Sequence, residues 1–309
     1  MNRTLITKIG ALVLTAICIL GATPAQSQSA VQRVFDSPEA AADALIAAAR
    51  TNDQTTLVEI FGAKHRSLIS TVDAARDREL RARFARMAGE YRQLYPEPNG
   101  AVTLVVGFET WSFPIPLVKE GSSWRFDTEA GFEEVINRRI GENELAAIET
   151  LRAYVDAQRQ YAAAPRDGTK VRQFAQKIRS APGKRDGLYW DADPAKGEKL
   201  SPAGALIEDA GTRVPGAPYK GYYFKILTRQ GGNAPGGRYN YLINGRMIAG
   251  FAMIAYPADY GETGVMSFLV NHYGVVYQKN LGPKTGTIAR GITEYNPDGT
   301  WKEVIEVVY

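Results

Sequence analysis

Residues 137–161 read NRRIGENELAAIETLRAYVDAQRQY, and this stretch limits what the rest of the chain can become. Leu145, Ile148, Leu151, Val155 and Ala162 recur at steps of three, three, four and seven, an apolar stripe at helical period. Glu149 with Arg152, and Arg152 with Asp156, set opposite charges three and four apart on the other side. Gly141 and Asn143 precede the good helix formers, so the helix is expected to begin near Glu142. Upstream of it the chain reads as helices and then strands; downstream it reads almost entirely as strands and loops. A helix in that place can serve as the floor of the second half, its stripe against a sheet.

The N-terminus carries an address. Arg3 and Lys8 precede the apolar run Ile9–Leu20, and Ala25-Gln26-Ser27 offers a small-x-small cleavage site after Ser27. The run is short of the roughly 20 residues that a membrane span needs. Bulky Ile17 directly before Cys18 argues against a lipoprotein site. The expectation is an exported protein, periplasmic or extracellular, with residues 1–27 removed. Cys18 is the only cysteine and leaves with that segment, so the remainder has no disulfide and no thiol and rests on its hydrophobic core. The formal charge of +4, less the two cations Arg3 and Lys8, falls to +2, too small a bias to argue for nucleic acid or an anionic membrane. No second apolar run reaches membrane length.

Residues 28–136 form the first expected domain. Ser37-Pro38-Glu39 is a helix start, with a hydroxyl cap, proline at the first position and an acid at the positive end of the dipole. Ala40–Arg50 continues it, Asp53 caps a helix over Leu57–Phe61, and a longer helix is predicted over Asp73–Leu94 with Leu80, Phe84, Met87 and Tyr91 on one face. Arg76, Arg78, Arg81, Arg83 and Arg86 read either as a patch for an anionic ligand or as a solvated face interspersed with Asp77, Glu79 and Glu90. The second is the default for charge on an outer helical face. Strands follow over Ala101–Val106, Ser112–Lys119 and Trp124–Asp127, the middle one made irregular by Pro114 and Pro116. Helices followed by a small sheet ending in Trp-Arg-Phe-Asp loosely resemble the nuclear-transport-factor-like cone.

Residues 137–309 form the second. A proline- and glycine-rich connection with short helices over Arg172–Ile178 and Ser201–Ala210 leads to strands over Gly221–Arg229, Tyr239–Ile243, Ile248–Tyr256, Gly264–Asn271 and Gly274–Lys279. His272-Tyr273 makes a tight hairpin between the last two. The whole is thus expected to be α+β: helices with a small antiparallel sheet, then a long helix on a larger antiparallel sheet.

Phe35–Ala41, Phe113–Val118, Trp124–Thr128, Asn137–Glu144, Ser180–Trp190 and Gly264–Phe268 resemble a family of secreted bacterial proteins designated only as a domain of unknown function. That resemblance implies export and carries no activity. Asn143-Glu144, Ala147-Ile148, Leu151-Arg152 and Tyr161, with Gly221–Phe224, Ala255–Pro257 and Gly264–Val270, are similar to the globular domains of type IV pilins and pseudopilins. The pilin likeness implies one helix laid across an antiparallel sheet. No apolar N-terminal helix with a prepilin processing site precedes Asn143, which argues against a filament subunit.

The chemistry that can be sought is limited. His65 and His272 are the only histidines, one in a Lys-His-Arg run and one in a turn, so a paired histidine site is not expected. Asp191-Ala192-Asp193 starts like a calcium loop, but Ala195 stands where a third ligand belongs. Gly231–Arg238 lacks the Lys-Ser/Thr of a phosphate loop and reads as a hairpin loop. No metal or other cofactor is expected. Glu142, Glu144 and Glu149 could supply paired carboxylates, or simply solubility and dipole matching. Arg138 and Arg139 with Glu142, Asn143 and Glu144 can lock the two halves through charge-assisted bonds, the preferred reading, or line a ligand cleft. Lys184, Arg185, Asp186, Tyr189 and Trp190 pair cations with two aromatics: the loop could stack a sugar or peptide, or pin itself down by burying the rings. Two function classes stay open. One is a non-catalytic envelope module that binds a partner protein, peptide or sugar; the other is an envelope hydrolase using the junction carboxylates.

Overall fold

The computed structural model describes residues 32–166, 170–202 and 216–305. Helix α1 (Pro38–Thr51) starts where extended Ser37 accepts the Ala40 amide, and it ends at left-handed Asn52. Helix α2 (Gln54–Phe61) is capped by Asp53, whose carboxylate accepts from Thr56 N. A 3-10 turn (Ala63–Leu68) leads to α3 (Ala74–Glu90), capped by Asp73. The sequence reading carried α3 on to Leu94, because Tyr91 continues its apolar face. In the structure the chain becomes extended at Tyr91, and β1 (Arg92–Pro96) pairs antiparallel with β2 (Val102–Val106).

Strands β3 (Trp111–Ser112), β4 (Leu117–Glu120) and β5 (Ser123–Phe126) complete the first sheet, in the order β1-β2-β4-β5 with β3 also on β2. Pro114 and Pro116 divide what reads as one strand into β3 and β4, since neither can donate to a ladder. Leu45, Ile60 and Phe61 from the helices meet Leu104, Val106, Ile115, Leu117 and Phe126 from the sheet side in one buried cluster.

Helix α4 (Thr128–Ala162) is 35 residues long, about 50 Å at 1.5 Å per residue. It begins well before Glu142. Gly141 sits inside it at a tolerable cost of roughly 1 kcal/mol, and the boundary expected between residues 136 and 137 falls within the helix. Its early turns belong to the first cluster's surroundings: Gly131 lies against Pro114 and Ile115, where an added Cβ would stand 2.5 Å from the Pro114 carbonyl oxygen. Its late turns carry Ala147, Leu151, Tyr154, Val155 and Tyr161 into a second buried cluster.

That second cluster is built on β6 (Tyr222–Leu227) and later strands. The pairs β7 (Arg229–Gln230) with β8 (Tyr239–Asn240), and β9 (Leu242–Ile243) with β10 (Arg246–Met247), lead into β11 (Ala252–Pro257), β12 (Met266–Asn271) and β13 (Val276–Asn280). Helix α5 (Thr285–Gly291) and β14 (Lys302–Glu303) close the described chain. The sheet order is β14-β13-β12-β11-β6, every pair antiparallel. Helix α4 packs over β11, β12 and β13, and α5 packs on β11. Every residue of β11 is buried, which is why Ala252–Pro257 reads as a continuous apolar run rather than an alternation.

Three expectations need correction. Leu145 is 64% exposed, although Leu151 and Val155 are buried as the stripe required. At about 100° per residue Leu145 stands roughly 120° around the helix from Leu151. The buried face instead runs through Asn143, Ala147, Tyr154, Gln158 and Tyr161, two of them polar and so invisible to an apolar count. Arg172–Ile178 is not helical: Phe174 bridges Met247 and Arg179 bridges Tyr189, so the segment lies alongside the second half in extended form. Helix α5, with β1 and β14, was not foreseen. The export segment 1–27, and the helix expected over Ser201–Ala210 from residue 203 on, lie outside the described residues.

Candidate functional site

The two halves meet along the middle of α4, and the charged residues there are built into the backbone of both. Arg139, its side chain only 7% exposed, donates to Ser67 O at 2.8 Å and Leu68 O at 2.7 Å, while Glu262 of the second half lies 3.8 Å away. Burial pulls the Arg139 pKa down, opposed by the nearby Asp77 and Glu262 carboxylates. Burial pushes both of those carboxyls up: for Asp77 the Thr71 amide and hydroxyl counter it, and for Glu262 the Arg139 charge does.

Asp73 caps α3 and also accepts from Gly221 N at 2.8 Å, tying the first half to the edge of the second sheet. Asn143 donates to Thr263 O at 3.0 Å, and Glu144 accepts the Val265 and Met266 amides at 2.9 Å each. Glu142 pairs with Arg76 at 3.3 Å and Arg83 at 3.6 Å. Of the residues expected to form a lock, Arg139, Asn143 and Glu144 reach the second half, Asn143 and Glu144 through its backbone, whereas Arg138 and Glu142 bond within the first half and α4. Glu149 is exposed on α4, away from these contacts.

Beside the junction, within the first half, lies a cavity of about 210 Å³. Leu45, Leu57, Phe61 and Ile115 close its buried end; Leu80, Phe84, Met87, Trp111, Phe113 and Val135 form half-buried walls. The aromatic walls are mutually packed, with Phe84 and Phe113 ring centroids 5.5 Å apart and Trp111 and Phe113 6.0 Å apart. Arg81, Arg83, Arg138 and Arg139 line the cavity against Asp77 and Glu142, four cations less two anions. Arg138 donates to Glu134 at 2.6 Å and Ser112 O at 2.9 Å, and its guanidinium sits 5.4 Å from the Trp111 ring centre. Arg81 bonds two neutral oxygens, Asn52 Oδ1 at 2.8 Å and Ile69 O, and burial lowers its pKa.

The arginines of α3 thus divide. Arg78 and Arg86 are exposed, as a solvated face requires, whereas Arg76 is buried and Arg81 and Arg83 reach the cavity. The sequence did hold a signal for this. Arg83 falls at helical spacing with Leu80, Phe84 and Met87, a cation on an apolar stripe.

The loop 184–190 settles differently. Tyr189 and Trp190 are buried members of the second cluster, and Trp190 Nε1 donates to Lys199 O at 2.9 Å. Arg166 and Arg185 lie over the Trp190 ring at 5.3 and 5.5 Å, and Arg179 over Tyr189 at 5.2 Å. Asp186 accepts from Lys177 at 2.6 Å and from Ala181 N, and the Lys177 hydrogen bond holds its pKa below the usual carboxylate range. Lys184 closes a turn with Ala181. The rings are anchored in the second cluster with arginines over them, and a cavity of about 290 Å³ remains beside Lys184, Arg185 and Trp190.

His65 meets Glu129 at 2.9 Å, far from His272, whose ring packs on Tyr241 and Tyr273 and whose pKa burial lowers. Asp191 accepts from Tyr189 OH, and Asp193 pairs with Lys196 at 3.1 Å, so the acids of that run serve their own loop. Among the described residues no group of three His, Cys, Asp or Glu side chains stands together as a metal site, and no helix is long and apolar enough to cross a membrane.

The fold is α+β, and the arginine-rimmed cavity of its first half joins apolar walls to convergent polar groups. The chain belongs to the family described as Protein of unknown function (DUF2950), whose model matches residues 32–304. No curated protein and no solved structure matches it, so the likeness to pilin domains has no counterpart in these comparisons.

Proposed function

We propose that this chain is a non-catalytic binding module of the bacterial envelope, exported through removal of residues 1–27 and holding an apolar ligand in the cavity of its first half. One observation carries the ligand site: a cavity of about 210 Å³ with aromatic and aliphatic walls and arginines along one side. Pockets of that kind, mostly apolar with a few convergent polar groups, are where ligands bind. An engineered apolar cavity of about 150 Å³ already accepts benzene. The charge signature and short apolar run of residues 1–27 support export.

The rival reading, a hydrolase using junction carboxylates, needs two acids facing one space. Of Glu142, Glu144 and Glu149 only Glu142 reaches the cavity, where Asp77 also lies, but Asp77 is engaged by the Thr71 amide and hydroxyl, and Glu144 is committed to two backbone amides. A neutral fluorescent hydrocarbon amine such as 1-aminoanthracene tests the binding reading. The mature chain should bind it with saturable fluorescence gain, and Leu80→Trp, which fills the cavity from its half-buried wall, should abolish the signal without lowering the melting temperature. Unsaturable fluorescence, or equal binding by Leu80→Trp, would refute the site. Export is tested by N-terminal sequencing of protein recovered from periplasm or medium, which should begin near Gln28. An intact Met1 in membrane fractions would refute it.

A further inference from the structure

The binding reading leaves the chemistry of the ligand undefined, and the rim of the cavity defines it. Resting on that reading, we infer that the ligand is a carboxylic acid of medium size, its apolar body in the cavity and its carboxylate held by Arg83 and Arg138 at the mouth. Three observations bear on the head group. Among the described residues the only polar partner of Arg83 is Glu142, at 3.6 Å, and the side chain is 55% exposed. That is a loose pair in water, of the sort that contributes little. Arg138 uses two N–H groups, on Glu134 and Ser112 O, and a guanidinium carries five. The Ser112 bond and the Trp111 ring hold the rest of its fork at the rim. Deeper in, Arg81 and Arg139 spend their hydrogen bonds on neutral oxygens and lie beside Asp77 and Glu262, which leaves Arg83 and Arg138 at the mouth as the cations placed to meet a head group. A planar, forked donor selects a carboxylate, which it can meet with two parallel bonds.

The body of the ligand follows from the volume. About 210 Å³ exceeds what benzene needs and falls short of the roughly 300–1,000 Å³ typical of drug-sized sites. A single ring with a short chain, or an alkyl chain of like bulk, fits; a two-chain lipid does not. Glu142 plays a distinct part here. It faces Arg83 from α4 and competes with an incoming carboxylate, so it sets the affinity for acids against neutral analogues.

Calorimetric titration of the mature chain with octanoate, 1-octanol and octyl phosphate tests this. Octanoate should bind at least about tenfold more tightly than octanol, the worth of one to two charge-assisted bonds, and more tightly than octyl phosphate. Arg83→Gln, at a half-exposed position that folding tolerates, should weaken octanoate about tenfold and leave octanol within about twofold. Glu142→Gln should strengthen octanoate. Octanol binding as tightly as octanoate, or Arg83→Gln weakening both alike, overturns the acid while the cavity stands. A preference for octyl phosphate overturns the carboxylate. If none of the three binds and aminoanthracene fails as well, the cavity reading falls with it.

Discussion

Replacing Arg139 with methionine, which keeps much of the length and removes the charge, tests the junction most sharply. Two charge-assisted bonds, to Ser67 O and Leu68 O, are lost, each worth about 1.5–3 kcal/mol. Asp77, which stays buried, and Glu262, which is partly exposed, lose the cation beside them. Removing one partner of a buried charged group costs about 3–5 kcal/mol, and the same range is expected here, because some water will reach the half-exposed side of Glu262. With roughly 2–4 °C per kcal/mol for a chain of this size, the melting temperature should fall by about 6–20 °C.

The pH dependence carries a sign. Both carboxyls have folded-state pKa values raised by burial, so each favours folding most below its ordinary pKa of about 4, and that contribution is lost as pH rises through the raised folded value. Arg139 relieves the cost of their ionised forms. The penalty of Arg139→Met should therefore be largest near pH 7–8 and shrink toward pH 4. Urea unfolding of the two chains across that range measures it. A difference under 1 kcal/mol at neutral pH, or a penalty that grows on acidification, would refute the junction as described.

Leu151→Ala should cost about 2–5 kcal/mol because Leu151 is fully buried where α4 lies on the second sheet, while Arg159→Ala on the exposed side should stay within roughly 0.5 kcal/mol; thermal unfolding compares them. Trp190→Ala should cost about 3–5 kcal/mol and leave octanoate and aminoanthracene affinity unchanged, since the ring anchors its loop far from the cavity; a loss of affinity with no loss of stability would return the loop to the list of binding sites. Gly131→Ala should destabilise by about 1–3 kcal/mol, because the added methyl meets the Pro114 backbone.

Local chemistry was legible in the sequence and convergence was not. Ser37 and Asp53 cap the helices they were expected to cap, because a cap is a bond across three residues. The antiparallel second sheet emerged where apolar β-branched and aromatic runs were separated by turn residues. The start of α4 was missed because Gly141 and Asn143 look like a boundary, and only the contacts of Arg139 and Asn143 on both halves show why the helix continues through them. Leu145 was placed inward because an apolar count gives Asn143 and Gln158 no weight, although both are buried and hydrogen-bonded. The cavity draws on α1, α2, α3, α4 and the β3–β4 connection, and no spacing within one segment announces such a meeting. Arg83 on the stripe of Leu80 and Phe84 was the one trace it left.

Methionine methyl resonances give the most direct test of the cavity as a ligand site. Of the five methionines, Met87 lines the cavity, whereas Met247 and Met253 are buried in the second cluster and Met266 is packed against it. In the mature chain labelled with [methyl-¹³C]methionine and titrated with octanoate, the Met87 resonance should shift saturably and the other three should hold still. No shift at Met87, or shifts at Met247 and Met253 instead, would contradict the account.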